Sequence, residues 1–269
     1  MTTNHPTESF ISVHQRVLQL IKRDCNGIYY AELGELRFDS VFQPIVDSER
    51  EIYAFEALVR IKNTAEEVMI NPADYFNLLV NNTEELLFIT TLCSMIHIRN
   101  FSQSGFRTKK IFLNTPPIVF ESLSNCRNAI DLLLRALQSI GIQTEQIVYE
   151  IMEFEGVDLT ATLSGKENLR RNGILIAIDD YGCEFATAER VISVEPDYLK
   201  VDRSIVQQVE SDDVEALLGA LKLGKRANAK VIAEGVETEK TFECCKSLGI
   251  ELFQGYYFEP PRMLKPNNI

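Results

Sequence analysis

The 269-residue chain is poor in histidine, which limits the metal chemistry open to it. Only three histidines occur, His5, His14 and His97, and they lie far apart in the sequence. A metal centre built from histidine side chains is therefore not expected. Oxygen ligands from carboxylate and amide side chains must carry any metal chemistry that the protein performs.

Long apolar runs, closely spaced cysteines and a surplus of basic residues are also missing. The apolar stretches are only strand-length, which excludes a membrane span. The six cysteines show no C-x-x-C spacing, and "MTTNHPTESF" lacks the basic and apolar regions of a secretory signal, so we expect reduced thiols and a cytoplasmic protein. The formal net charge of −12 argues against binding along a DNA or RNA polymer. It does not exclude a small phosphorylated ligand that is held through metal ions.

The chain does contain a regular alternation of strand-like and helix-like segments. An amphipathic helix is predicted over "FISVHQRVLQLIKR", and about eight strand-like runs follow it. The first two runs, "DSVFQPIV" and "EIYAFEALVRI", are separated only by "DSER", which is typical of an antiparallel hairpin. The later runs alternate with helix-length segments, which favours a parallel sheet, and their number favours a barrel.

Nearly every predicted strand carries a polar or charged residue at or near its downstream end. In a barrel these ends converge on the C-terminal mouth, where barrel enzymes place their chemistry. The residues are Glu56, Asn114, Glu150, Asp179 with Asp180, Lys200 with Asp202, Glu234 and Gln254. One such residue alone can be a solvated strand end or a helix cap, as Asp202 before "RSIV" would be. Seven strand ends in register indicate a functional site.

Carboxylates gathered in one cavity would repel one another unless protons or divalent cations neutralise them. Oxygen ligands of this kind suit Mg²⁺ or Mn²⁺. The adjacent Asp179 and Asp180 favour two ions that share a bridge, an arrangement used in phosphoryl chemistry. Lys200 is the lone cation of the set, and it could orient or deprotonate a metal-bound water or hold a phosphate.

The motifs resemble, in the same order, those of the EAL-domain cyclic di-GMP phosphodiesterases. The resemblance runs from about Val41 to Pro261. It is carried by "QPIVD", "EALVR", "FLN", "YEIME", "IDDYG", "LKVDRS", "IAEGVET" and "QGYYF". It implies an α/β fold, a TIM-like (β/α)8 barrel with an antiparallel first strand, in agreement with the short hairpin. We expect residues 1–36 to form an N-terminal tail and helix that packs on the barrel, and residues 37–269 to form the EAL domain.

The resemblance also implies roles for individual residues. Two ions, Mg²⁺ or Mn²⁺, would be held by Glu56, Asn114, Glu150, Asp179, Asp180, Asp202 and Glu234. Lys200 would position or activate the attacking water, with Glu56 and Glu234 also counted as catalytic. The nucleotide would contact Gln43, Leu58, Arg60 and Gln254, and Glu153 would brace the loop after the aspartate pair. The implied activity is two-metal hydrolysis of cyclic di-GMP to the linear dinucleotide by a homodimer.

One loop departs from the family pattern. It reads "DDYGCEFATA" over residues 179–188, where the family usually reads D-D-F-G-T-G-Y-S-S. Cys183 and Glu184 replace a Thr-Gly pair, and Glu184 adds a negative charge near the expected metals. An alternative is therefore a catalytically weak or inactive EAL module that acts as a cyclic di-GMP receptor or on a regulatory protein partner. A third reading, an unrelated metal-dependent barrel hydrolase, is disfavoured by the order of the motifs.

Overall fold

The structure is a computed structural model, and it describes residues 6–124, 127–151, 159–183 and 187–267. Two residues of the sequence analysis, Glu153 and Glu184, lie outside these ranges. The five cysteines within them are free thiols. None of the described helices combines the length and the hydropathy needed to span a lipid bilayer.

The described residues form eleven strands, ten α-helices and two short 3-10 helices. The strands are β1 (Ile21–Arg23), β2 (Tyr29–Leu33), β3 (Leu36–Asp47), β4 (Ile52–Asn63), β5 (Val68–Ile70), β6 (Lys110–Thr115), β7 (Ile147–Ile151), β8 (Leu175–Tyr181), β9 (Tyr198–Val201), β10 (Lys230–Ala233) and β11 (Leu252–Phe253). The α-helices are α1 (Pro6–Leu20), α2 (Pro72–Leu79), α3 (Thr83–Gln103), α4 (Pro117–Ser124), α5 (Arg127–Ser139), α6 (Leu159–Arg171), α7 (Ala188–Val194), α8 (Arg203–Val206), α9 (Glu215–Ala227) and α10 (Glu239–Ser247).

Eight of these strands close into a barrel, as predicted. The order around it is β3, β11, β10, β9, β8, β7, β6 and β4, and β4 pairs again with β3. Strand β3 is antiparallel to both of its barrel neighbours, whereas the other barrel pairs are parallel. The hairpin between β3 and β4 turns at Arg50, which adopts a φ of 64°. The predicted α/β barrel with an antiparallel first strand is therefore confirmed.

The N-terminal segment differs from the sequence prediction. The predicted helix over "FISVHQRVLQLIKR" ends at Leu20, and Ile21–Arg23 instead form β1, which pairs antiparallel with β2. Strand β2 in turn extends the sheet from β3. Lys22 forms an ion pair with Glu32 across the two short strands. Pairing with a neighbouring strand outweighs the helical spacing of the apolar residues, because strand formation depends strongly on such context.

Three helices end two residues before a glycine. Gly141, Gly173 and Gly249 follow α5, α6 and α10, and their φ angles are 72°, 83° and 98°. Glycine adopts this left-handed backbone at little cost, so each helix ends and the chain turns back towards its next strand.

The interior of the barrel is closed by one apolar layer. Each barrel strand contributes one residue to it, and each of these residues is at most 3% exposed. The members are Ile45, Ala54, Phe112, Val148, Ala177, Tyr198, Ile232 and Leu252. Close packing of this layer excludes water from the floor of the barrel mouth. Any charge placed directly above it is therefore partly removed from solvent.

A buried histidine adds a pH-dependent contribution to the stability of this fold. His97 on α3 is buried, and its Nδ1 lies 2.8 Å from Ser40 Oγ in a hydrogen bond. Burial lowers the pKa of His97 to about 3, so its ring is neutral in the folded protein near pH 7. The unfolded imidazole titrates near about pH 6.5. Below that pH the unfolded chain therefore binds one more proton than the folded protein. The free energy of unfolding consequently falls as the pH falls from about 6.5 towards 3.

The variant His97→Gln removes this titration and keeps a side chain that can hydrogen-bond with Ser40. The unfolding free energy of the parent protein minus that of the variant should fall as the pH falls from about 6 to 4. We expect a slope of about 1.4 kcal/mol per pH unit. Denaturant unfolding at pH 7, 6, 5 and 4 measures it. A difference that stays constant with pH would show that the folded state does not hold His97 neutral.

Candidate active site

The polar residues at the strand ends form a ring directly above the apolar layer of the barrel. Side chains two residues apart on a strand point to the same side. Each ring residue therefore lies two positions after a residue of the apolar layer. On β3, which runs in the opposite direction, the ring residue lies two positions before it. The ring consists of Gln43, Glu56, Asn114, Glu150, Asp179, Lys200, Glu234 and Gln254, and we refer to it as the polar ring. It includes every predicted strand-end residue except Asp180 and Asp202.

Lys200 occupies the centre of the polar ring. Its side chain is 1% exposed, and its Nζ lies 2.8 Å from Glu150 Oε1, 2.9 Å from Asp179 Oδ1 and 2.9 Å from Glu234 Oε1. Glu56 Oε2 lies farther away, at 3.5 Å. The three short contacts match the three N–H donors of an ammonium group. One buried cation therefore faces four carboxylates.

Amide side chains fix the orientation of Glu56. Asn114 Nδ2 donates to Glu56 Oε1 at 3.0 Å, and Gln254 Nε2 donates to Glu56 Oε2 at 2.6 Å. The same Gln254 amide lies 3.3 Å from Gln43 Oε1. Gln43 pairs directly with Glu56 in the register of β3 and β4. This network links β3, β4, β6 and the end of β11 around one carboxylate.

A bulge in β8 directs both adjacent aspartates towards the mouth. Between Ile178 and Tyr181 the register with β9 shifts, so that β8 contains one extra residue. Asp180 adopts a left-handed backbone with a φ of 51°, which is uncommon for a residue with a side chain. Bulges of this kind can redirect a side chain next to an active site. Carboxylate oxygens of Asp179, Asp180 and Glu234 consequently lie within 4.8 Å of one another.

The comparison with protein families agrees with this arrangement. The sequence model of the EAL domain matches residues 30–261. The chain belongs to the EAL domain family. The matched segment contains the whole polar ring and all eight barrel strands, together with most of the strand β2 that precedes them.

Relatives of this EAL domain share modest identity with it. Cyclic di-GMP phosphodiesterase NbdA of Pseudomonas aeruginosa is 26% identical over 230 residues, which cover 82% of this chain and 28% of NbdA. A standalone versatile EAL protein from Vibrio cholerae O395, solved in a c-di-GMP-bound form, is 28% identical with a TM-score of 0.70. That match covers 86% of this chain and 94% of the Vibrio chain.

A third relative shows the fold alone. Klebsiella pneumoniae BlrP1, solved with manganese and cyclic di-GMP, is 23% identical with a TM-score of 0.70, and the match covers 84% of this chain and 56% of BlrP1. Matches to the first curated relatives span between 16% and 36% of those proteins' lengths. The activities of those whole proteins are therefore not carried over with the fold.

Burial makes the charges of the EAL polar ring strongly interdependent. It raises the pKa of Glu150 well above its ordinary value, although Lys200 opposes the shift. It raises the pKa of Glu234 in the same way. Burial opposes the charge of Lys200, but the surrounding carboxylates together raise its pKa well above the ordinary value. Partial burial and the charge of Asp179 raise the pKa of Asp180 to about 6. One ammonium group does not neutralise so many acids.

The donor atoms of the EAL polar ring fit a divalent cation. Glu150 Oε2 is buried and has no hydrogen-bond partner among the described residues. A buried carboxylate oxygen without a partner is costly unless a cation or a proton reaches it. The nearby donors are carboxylate and amide oxygens, which are the ligands that Mg²⁺ and Mn²⁺ prefer. The residues present therefore suit hard divalent ions.

Asp202 and Asp180 lie beside the polar ring. Asp202 Oδ1 accepts a hydrogen bond from the backbone N–H of Ser204 at 2.8 Å and caps α8. The interpretation that Asp202 caps a helix is therefore confirmed. Its contact with a metal ion stays a prediction. Asp202 is also one of the charges that act on Asp180.

Two cavities that share lining residues open at the mouth of the EAL barrel. The first, of about 380 Å³, is lined by Arg60 and Asn114 among others, and we call it the Arg60 cavity. The second, of about 300 Å³, is lined by Gln43 and Gln254, and we call it the Gln43 cavity. Glu56 and Leu58 line both. The predicted nucleotide contacts are thus brought together around one carboxylate.

Sequence reasoning missed several residues that line these two cavities. Arg203, Glu237 and Tyr256 line the Gln43 cavity, and Phe76 lines the Arg60 cavity. Arg203 and Tyr256 belong to the quoted motifs "LKVDRS" and "QGYYF", so their place in those motifs is a signal that could have found them. Phe76 lies on α2, outside all the quoted motifs, and no sequence pattern marks it.

Replacing Lys200 tests whether the buried ion pairs hold the mouth of the barrel together. Lys200→Met keeps the length of the side chain but leaves Glu150, Asp179 and Glu234 without their shared cation. We expect the unfolding free energy in the presence of EDTA to fall by about 3–5 kcal/mol, the usual scale for breaking a buried ion pair from one side.

The matched control is Lys222→Met, which removes an exposed lysine from α9. Surface substitutions usually change stability by about 0.5 kcal/mol or less. Denaturant unfolding of the two variants under the same conditions provides the comparison. Equal, small losses in both would show that the contacts of Lys200 contribute no more to stability than a surface charge.

Proposed function

We propose that this EAL domain is a metal-dependent phosphodiesterase that hydrolyses cyclic di-GMP to the linear dinucleotide. The observation that carries the proposal is the polar ring itself, in which one buried lysine faces four carboxylates on an apolar floor. Such an excess of buried acid groups destabilises the fold unless it serves to bind cations. Relatives named as cyclic di-GMP phosphodiesterases support this choice of substrate.

Two divalent ions, Mg²⁺ or Mn²⁺, are the proposed cofactors. One would be held by Glu56, Asn114, Glu150 and Asp179. Asp179 and Asp180 would hold the other, with help from Asp202 and Glu234. When bound, such ions lower the pKa of an attacking water and stabilise the leaving oxygen of a phosphodiester. The bulge that brings Asp179 and Asp180 to one side of β8 supports a shared site.

The residues around the polar ring are assigned to binding and orientation. Amide groups of Asn114 and Gln254 hold Glu56 in one orientation, so that it faces the mouth. Lys200 lies within 3.5 Å of the four carboxylates and is in reach of whatever they hold. We assign Lys200 to positioning the attacking water, and we assign Glu234 to the same task.

The two mouth cavities suit the two halves of a cyclic dinucleotide. They share Glu56 and Leu58 in their walls, so a phosphate at Glu56 would have both cavities within reach. Arg60 offers a cation in one cavity, and Gln43 and Gln254 offer amides in the other. The Vibrio cholerae relative, solved with c-di-GMP bound, supports this ligand.

The second candidate is a receptor that binds cyclic di-GMP without hydrolysing it and signals to a protein partner. The divergent loop favours it, because Cys183 and Glu184 stand where the family has a Thr-Gly pair. Cys183 is exposed, close to Asp180 and Asp202. Homodimer formation belongs to both candidates and remains a prediction. Glu153 retains its proposed role of bracing this loop.

Incubation of the purified protein with cyclic di-GMP separates the two candidates. With Mg²⁺ or Mn²⁺ the linear dinucleotide should accumulate, and excess EDTA should stop the reaction. Glu56→Gln should lower turnover by about 100-fold or more, because it removes one charge from the proposed metal ligands. Ca²⁺ should allow binding but little hydrolysis, since its larger and looser coordination would misplace the attacking water.

Glu66→Gln serves as the matched control, because Glu66 is exposed in the β4–β5 turn and lines neither of the two mouth cavities. It should leave turnover unchanged. Calorimetry with Ca²⁺ measures binding independently of turnover. Binding without any linear product over hours with Mg²⁺ and Mn²⁺ would establish the receptor and reject the enzyme. Turnover that persists in EDTA would reject the two-metal mechanism.

A further inference from the structure

A separate cavity lies outside the barrel wall, behind two strands of the polar ring. Its volume is about 270 Å³, and we call it the helix cavity. Thr115 and Tyr149 form part of its wall. They follow and precede the ring residues Asn114 and Glu150, so they point to the opposite, outer face of the sheet. Helices α1, α3 and α5 supply most of the remaining wall.

The wall of the helix cavity is largely apolar. The side chains that form it include Leu18, Met95, Ile98, Val119, Leu133 and Leu137. A cavity of about 150 Å³ with such a wall can hold benzene. A volume of about 270 Å³ therefore suits a hydrocarbon chain of about eight carbons with a small head group.

One cation in this wall has no acidic partner among the described residues. Arg99 on α3 is half-buried, and its Nη1 donates to the backbone carbonyl of Met95 at 3.3 Å. It forms no salt bridge with any residue of the described ranges. Burial lowers the pKa of Arg99. Burial also lowers the pKa of His14 in the same wall, and the charge of Arg99 lowers it further. A half-buried guanidinium group without a counter-charge favours an anionic ligand.

The chemistry of the head group follows from the size and polarity of the cavity. A guanidinium group binds a carboxylate through two parallel hydrogen bonds. A monoanion is also less costly to remove from water than a phosphate dianion, which matters inside so apolar a wall. His14, half-buried beside Arg99, can donate a further N–H from its neutral ring.

We propose that the helix cavity binds a medium-chain carboxylate, with its carboxylate on Arg99 and its hydrocarbon chain among the apolar side chains of α3, α4 and α5. The cavity lies against β6 and β7, the strands that carry Asn114 and Glu150 of the polar ring. Thr90 and Ser94 on α3 separate it from the Arg60 cavity and line both. The site is distinct from the polar ring, and its occupancy does not depend on hydrolysis.

Titration calorimetry with octanoate tests the proposal without a catalytic readout. Octanoate should bind the parent protein with a stoichiometry of one, and it should raise the thermal unfolding midpoint as a ligand of the folded state does. 1-Octanol, which has the same chain length but no charge, should bind at least about tenfold more weakly, because it cannot form a charge-assisted pair with Arg99.

Two variants locate the site. Arg99→Met removes the guanidinium group but keeps an unbranched apolar side chain. It should weaken octanoate binding at least about tenfold. Arg135→Met, on the exposed side of α5, is the matched control and should leave binding unchanged. Ala136→Phe should fill the helix cavity and abolish binding of both compounds.

Three results would overturn the proposal. These are no octanoate binding by the parent protein, equal octanoate binding by Arg99→Met and the parent, and equal binding of octanol and octanoate by the parent. None of the three requires Ala136→Phe to fold. Cyclic di-GMP hydrolysis can fail while octanoate still binds, so this result is separate from that of the proposed function.

Discussion

The ion pairs of Lys200 are the interaction on which the mouth of the barrel depends. Its ammonium group lies within 2.9 Å of three carboxylates on three different strands or strand ends, above a floor of packed apolar side chains. Screening by water is weak in such a place, so both attraction and repulsion are strong. Lys200 holds the acids together, but its single charge leaves a surplus of negative charge when all four carboxylates are ionised. That surplus is a cost to folding and an attraction for cations.

The remaining features of the site serve the same constraint. Amide groups of Asn114 and Gln254 orient Glu56 without adding charge. The bulge in β8 brings a second aspartate towards the mouth, at the cost of a left-handed backbone at Asp180. Strained backbone of this kind persists only where the surrounding structure holds it in place. The acids are therefore gathered by the fold itself.

Much of this could be predicted from the sequence, because the alternation of strands and helices fixes which residues reach the mouth. Each ring residue lies two positions from an apolar residue on the same strand, and that spacing is visible in the printed chain. Gln43 was found only through the family motif, since β3 runs in the opposite direction and its mouth-facing residue lies before the apolar one. Strands β1 and β2 were missed, because they are only three and five residues long and the helical spacing of the preceding apolar residues continues into β1.

Other features have no sequence signal. The bulge at Asp179 and Asp180 depends on how β8 meets β9, and the helix cavity depends on how α1, α3 and α5 pack together. Nothing in the sequence marks Arg99 as lacking an acidic partner within the part of the chain that the structure describes. If the polar ring attracts cations as we propose, it should bind Mn²⁺, and equilibrium titration with electron paramagnetic resonance detection counts the bound ions. We expect two Mn²⁺ ions per chain in the parent protein and fewer in Glu150→Gln. A parent protein that binds no Mn²⁺, or a variant that binds as many ions as the parent, would contradict that proposal.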